Sequence, residues 1–142
     1  MLVAVTNEQR ESPVNVVQVS TLARRAVRSL GIRTPGTLAI TFISARKIRT
    51  LNKRFLRHDW STDVLSFRYA GEAVVGEILI APREARVYAR AHGIPYWEEL
   101  ARYVVHGLLH WLGHEDRTLR QQRAMRTRED ALLAHCGVLT TP

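Results

Sequence analysis

The run LVAVTN at residues 2–7 is apolar and β-branched, and it predicts a short first strand ended by the polar stretch through Pro13. From Val14 to Leu30 the spacing becomes helical: Leu22, Ala26, Val27 and Leu30 share one face, and Gly31 supplies the stop. TLAITFIS (37–44) alternates and is rich in Thr, Ile and Phe, the signature of a strand. ARKIRTLNKRFL then places Ile48, Leu51 and Phe55 at helical spacing. TDVLSFRY and VVGEILIAP predict two further strands, joined by AGEA in a hairpin-like connection. Pro82 suits the first turn of a helix through REARVYARAH, closed by Gly93. A long helix follows from Pro95 to Leu112, with Gly113 as its left-handed exit, and a final helix runs from Thr118 to His135. Strands and helices mix without strict βαβ alternation. This order predicts an α+β fold, a small mixed β-sheet of about four strands with helices packed on it. No repeat, low-complexity tract or linker divides it, so residues 1–142 are expected to form a single domain.

Composition narrows the chemistry. A chain of 142 residues builds an adequate core without disulfides or a structural ion, so a metal held here is expected to be functional. Cys136 stands alone, which excludes an internal disulfide framework and every Cys-rich zinc module. No run approaches the roughly 18 apolar residues of a membrane span. The start, MLVAVTNEQRESP, lacks the basic and apolar regions of a secretory signal. The expectation is a cytoplasmic protein with no membrane partner.

Net charge is +8, and 19 of the 21 basic residues are arginine. Such an excess points to a polyanionic partner, most simply nucleic acid. The charge is uneven: ten basic residues lie between Arg24 and Arg57, and Arg117, Arg120, Arg123, Arg126 and Arg128 follow at spacings of two or three, which wraps them round a broad helical face.

The stretch HGLLHWLGHED (106–116) carries the strongest chemical signal. On a helix, residues four apart point within about 40° of each other, so His106 and His110 can converge on one ion. Their neighbours Val104, Val105, Leu108, Leu109, Trp111 and Leu112 make the helix apolar on most of its circumference. Two imidazoles so placed need partners, and metal binding satisfies both. Zinc peptidases of the H-E-x-x-H type carry a glutamate after the first histidine as general base; Gly107 stands there, which disfavours peptide hydrolysis but not metal binding. After Gly113 the chain leaves the helix, so helical geometry leaves the third ligand open. Ligand preference favours His114, and Asp116 is the alternative.

HGLLHWLGHED, LNKRFLRHDWSTDVLSF (51–67) and GEILI (76–80) together resemble the YbeY endoribonucleases. The family blocks are H-G-x-L-H-L-x-G-(Tyr or His)-Asp-His, L-N-x-x-(aromatic)-x-x-x-D-x-x-T-D-V-L-S-F and G-(Asp or Glu)-I-x-I, and they occur in the family's order over about residues 35 to 135. The resemblance implies a small α+β metalloprotein, usually with one zinc ion per chain, that cleaves single-stranded RNA. It further implies work in ribosomal RNA maturation near the 3′ end of the small-subunit RNA and in ribosome quality control, with the small subunit or its assembly factors as partners.

By the same resemblance the metal ligands are His106, His110 and Asp116. Asp116 stands where the family usually has histidine, and His114 stands where it often has tyrosine. Carboxylate oxygen is a permitted zinc ligand and leaves the ion less positive. Many relatives carry an arginine directly after the aromatic of the second block; here Leu56 stands there and Arg57 is the nearest substitute. His106 and Arg57 are the catalytic candidates, and Arg54, Arg57, Arg120 and Arg123 the candidate RNA contacts.

Asp63 is a candidate acceptor behind the histidines. Ser61 and Thr62 are expected to bond backbone, while Val64, Leu65 and Phe67 are expected in the core. Glu77 is either an edge-strand solvating charge or a site carboxylate, and His135 and Cys136 are incidental. Two readings outside catalysis remain: a non-catalytic RNA-binding assembly factor with structural zinc, and, less favoured, a peptidase-like hydrolase.

Overall fold

A computed structural model of the protein describes residues 1–55 and 63–141. The expected elements form in the expected order: β1 (Leu2–Asn7), α1 (Val16–Ser29), β2 (Thr37–Phe42), α2 (Ala45–Phe55), β3 (Val64–Arg68), β4 (Val74–Ile80), α3 (Pro82–His92), α4 (Tyr96–Trp111) and α5 (Leu119–His135). The four strands lie in the order β1-β2-β4-β3. β1 and β4 each run parallel to β2, and β3 runs antiparallel to β4. Among the described strands the hairpin therefore contributes the one antiparallel pair of a mixed sheet, and the α+β expectation holds.

The sheet has two covered faces. On one, Leu38, Ile40, Phe42, Ile78 and Ile80 meet Val19, Leu22 and Ala26 of α1, Val104, Val105 and Leu108 of α4, and Leu132 and Leu133 of α5. On the other, Leu65 and Leu79 join Ile43, Ile48 and Ala81 in a smaller cluster, with Leu51 and Phe67 at its margin. Alternate residues of β4 thus serve different cores, as the pleat requires. Glu77 follows from this arithmetic. It lies on a central strand, on the face away from α4, and its carboxylate accepts a hydrogen bond from Tyr69 Oη at 3.1 Å. It is neither an edge charge nor part of the histidine site.

α4 lies close to the sheet at two glycines, where a side chain would not fit. A Cβ on Gly107 would stand 2.6 Å from Ile78 Cγ2 and 2.9 Å from Val64 Cγ1, and a Cβ on Gly76 would collide with the Trp111 indole. The helix is then pinned to β3: Ser66 Oγ donates to Gly107 O at 2.7 Å, and the Arg68 guanidinium donates to Trp111 O while lying 5.0 Å from the indole centroid. Gly107 points into the sheet, so the glutamate of an H-E-x-x-H peptidase has neither room nor the right direction here. Sequence and packing agree against that chemistry.

Candidate active site

His106 and His110 project from the last two turns of α4, and Asp116 comes back to them from the connection to α5. That connection is fixed at both ends. At the helix exit Gly113 has φ +102, Gly113 N–H donates to His110 O at 2.9 Å and His114 N–H to Leu109 O at 3.0 Å, the paired bonds of a Schellman closure. At the far end Thr118 caps α5: its Oγ1 accepts from Gln121 N–H at 3.1 Å, and Gln121 Oε1 accepts in return from Thr118 N–H at 3.1 Å and Arg117 N–H at 2.9 Å. Few backbone freedoms remain between these anchors. They set Asp116 Oδ2 at 3.5 Å from His106 Nε2 and 3.3 Å from His110 Nε2.

These spacings are those of a metal site. Donors about 2.0–2.2 Å from a tetrahedral ion stand roughly 3.3–3.6 Å from one another. Among the described residues, His106, His110 and Asp116 are the group of ligand atoms close enough to hold a metal ion, and each is half-buried. His114 is not in that group, although it lines the same cleft. Its imidazole is held below the usual histidine range by partial burial and by the Arg128 and His110 charges. The donor set, two imidazoles and one carboxylate with an open side, suits zinc.

Behind the histidines stands a residue that the pattern reading missed. Glu129 of α5 is 5% exposed, and its Oε2 lies 2.5 Å from His106 Nδ1 while its Oε1 accepts from Arg102 at 3.0 Å. With Nδ1 carrying the proton toward Glu129, the Nε2 lone pair faces Asp116, the tautomer a metal ligand needs. Arg102 reaches on to Asp130 at 2.8 Å. Burial works against this cation, and Asp130 and Glu129 outweigh it, so its pKa lies above the usual arginine value. A signal existed in the sequence: Glu129 interrupts the apolar stripe of Met125, Leu132 and Leu133 that buries α5. Asp63, the acceptor expected from sequence, instead takes the Tyr103 hydroxyl at 3.0 Å. Burial pushes its carboxyl up, and that hydrogen bond offsets part of the rise.

The site opens into a cleft of about 750 Å³. Among the described residues its arginines are Arg102, Arg117 and Arg126. Arg54, in the last turn of α2, and Arg120 and Arg123 on α5 are exposed and stand away from the cleft lining. Arg57, Ser61 and Thr62 lie outside the described residues. Cys136 is buried, with its carbonyl near Arg25, and His135 is exposed.

Comparison with known proteins identifies the family. The family model described as Endoribonuclease YbeY matches residues 4–137. A Flavobacterium psychrophilum protein named Endoribonuclease YbeY is 33% identical over 102 residues, 71% of this chain and 73% of its own length. One of the same name from Anaeromyxobacter dehalogenans is 33% identical over 143 residues, 98% of this chain and 74% of its own. The solution structure of a Thermotoga maritima protein is similar with a TM-score of 0.63 at 22% identity, over 95% of this chain and 89% of that one, a likeness of fold.

Proposed function

Since the chain belongs to the endoribonuclease YbeY family, we propose that it is a zinc-dependent endoribonuclease acting on single-stranded ribosomal RNA, folded as one domain over residues 1–142. The observation that carries this reading is the His106–His110–Asp116 group at metal-ligand spacing in an arginine-bearing cleft. Its cellular work is maturation at the 3′ end of the small-subunit RNA and ribosome quality control in the cytoplasm, with the small subunit or its assembly factors as partners. No described helix is long and apolar enough to cross a membrane.

The geometry supports the following roles. His106, His110 and Asp116 would hold one zinc ion, which when bound supplies a Lewis acid that polarises a phosphoryl oxygen and activates water. Glu129 holds the His106 proton at Nδ1 and so keeps Nε2 available. Arg117 and Arg126 line the cleft, and in this reading they take the non-bridging oxygens of the scissile phosphate and its neighbour. Arg117 has no carboxylate partner among the described residues, whereas Arg126 lies 4.0 Å from Asp130. Arg57 is the nearest chain position to the family's phosphate arginine. Arg54, Arg120 and Arg123 extend the positive field along which a longer RNA is drawn.

The test is purified protein on a defined single-stranded RNA and its duplex, with chelator, with zinc restored, and with His110→Ala as control. Cleavage of the single strand alone, lost with chelator and restored with zinc, is expected. Zinc-loaded protein that binds the RNA and leaves it intact would replace this reading with a non-catalytic assembly factor.

A further inference from the structure

Away from the metal group, toward the N-terminus of α4, the cleft changes character. Its wall there carries Asp63, Tyr103 and Glu99, with Tyr88 of α3 also lining the space. Helical rise puts Tyr103 about 4.5 Å and Glu99 about 10 Å along the axis from His106. The distance suits a neighbouring nucleotide rather than the scissile phosphate itself.

The polar atoms that Asp63, Tyr103 and Glu99 offer on this wall are acceptors. The Tyr103 hydroxyl is spent as a donor on Asp63 Oδ2, which leaves Asp63 Oδ1 and the tyrosine lone pairs. Glu99 is 5% exposed, and its Oε2 has no hydrogen-bond partner among the described residues. The arginines closest to it electrostatically, Arg102 and Arg126, are both drawn to Asp130. A buried carboxylate oxygen left without a donor is costly to keep, and Glu98 already supplies an acidic group to the first turn of the helix. These carboxylates are not a second metal site, because with Glu84 they do not form a ligand group among the described residues. They also repel phosphate. A ligand that suits them brings hydrogen-bond donors and no negative charge. The Tyr88 ring, held by stacking on His92 at 3.8 Å, stays 41% exposed and offers an aromatic face in the same cleft.

Resting on the endoribonuclease reading, we propose that this wing is a nucleobase subsite. It takes an unstacked base next to the scissile phosphate, stacks it on Tyr88 and accepts its exocyclic amino group at Glu99. Adenine and cytosine present that amino group on the pairing edge, and uracil presents a carbonyl in its place. The enzyme therefore discriminates for amino-bearing bases at one position beside the cut.

The experiment uses single-stranded oligoribonucleotides that differ at one position at a time: adenosine against purine riboside, cytidine against uridine, and each nucleotide against its 2′-deoxy form. Affinity is read by anisotropy on chelator-treated protein, and cleavage on zinc-loaded protein. At one position the amino-bearing base is expected to win by about tenfold, the size of a hydrogen bond to a charged group. Glu99→Gln, which replaces one acceptor oxygen by an amide donor, shifts the choice toward uridine. Tyr88→Ala weakens binding of every base at that position and keeps the preference. Equal affinity for all bases at every position, or a preference unchanged in Glu99→Gln, overturns the proposal. A loss confined to the 2′-deoxy RNAs overturns it too, by assigning the donor to the ribose. If wild type binds with the base preference and cuts none of these RNAs, the endoribonuclease reading fails while the base subsite stands.

Discussion

Removing the carboxylate behind His106 tests whether the two-helix scaffold holds the metal ligands or merely surrounds them. In Glu129→Ala, Arg102 stays buried at 8% side-chain exposure and keeps only Asp130, itself half exposed. Breaking a buried ion pair from one side costs about 3–5 kcal/mol, and the surviving Asp130 interaction places this case near the lower end. His106 Nδ1 loses its acceptor as well. The ring is 26% exposed, so water reaches it, and the further cost is about 1 kcal/mol. The sum, roughly 3–4 kcal/mol, is a large share of the 5–15 kcal/mol that holds a typical domain together. It corresponds to a fall in melting temperature of roughly 10 °C for a domain of this size.

Zinc affinity falls independently of stability, because an untethered His106 samples rotamers and tautomers that turn Nε2 away from Asp116. Loss of such a supporting acceptor weakens metal binding by about 10–100-fold. Glu129→Gln separates the two effects. It preserves volume but offers a single acceptor oxygen to two donors, so it lies between wild type and alanine in both stability and affinity. Urea denaturation of metal-free protein measures the first quantity, and competition with a chromogenic chelator measures the second. A Glu129→Ala protein within about 0.5 kcal/mol of wild type, as for an ordinary surface change, with unaltered zinc affinity would refute the link.

Asp116→Ala is expected to lose metal while His114→Ala keeps most of it, and Asp116→His stays loaded; elemental analysis of the three proteins decides, and the reverse ranking would move the third ligand to His114. For RNA binding, each phosphate that the protein no longer neutralises lowers the slope of log affinity against log salt by about 0.7 for single strands. Alanine at Arg117 and Arg126 is expected to lower it by about 1.4 in all, and an unchanged slope would place those side chains off the RNA path. Glu99 is raised by burial, the Arg102 and Arg126 charges offsetting only part of the rise, so its protonated form is favoured in the fold and stability drops as pH climbs through the raised value. Glu99→Gln is therefore expected to be more stable than wild type at neutral pH, by about 1–3 kcal/mol, with the gap closing toward pH 4; a gap constant with pH would contradict the buried charge. Gly107→Ala forces a Cβ to 2.6 Å from Ile78 Cγ2 and is expected to cost about 1–3 kcal/mol, read by urea denaturation.

What the sequence made legible was whatever depends on periodicity and local caps. The stops at Gly31, Gly93 and Gly113, the proline start of α3 and the alternation in β2 are each set within a few residues, and each appears where the pattern puts it. The convergence of His106 and His110 is equally local, a consequence of helical pitch. Asp116 is different, because no single turn aims it. A Schellman exit and a capping box do so together, and they leave so little chain between them that a family spacing carries the answer where helical geometry cannot. The partner of Glu129 was illegible for a further reason. It is 23 residues away on another helix, and only the crossing of α4 and α5 brings the two together.

The same crossing explains why a strongly basic chain keeps buried acids near its cleft. An RNA-cleaving site must hold phosphate against the metal without letting arginines settle onto the metal's own carboxylate. In this fold Arg102 is captured by Glu129 and Asp130, and Arg126 lies within 4.0 Å of Asp130. Asp116 then faces two imidazoles, with no arginine at ion-pair distance from it among the described residues. Glu129 and Asp130 thereby do more than orient a histidine. They partition the charge: Arg102 and Arg126 both have Asp130 as a partner, while Arg117 lines the cleft with no carboxylate partner among the described residues. Neutralising Asp130 in Asp130→Asn should accordingly lower zinc affinity even though Asp130 touches no ligand. The loss should shrink as salt rises through the range in which exposed charges are screened. A zinc affinity independent of Asp130 at low salt would show that neither its charge nor its hold on the arginines sets the field at the metal.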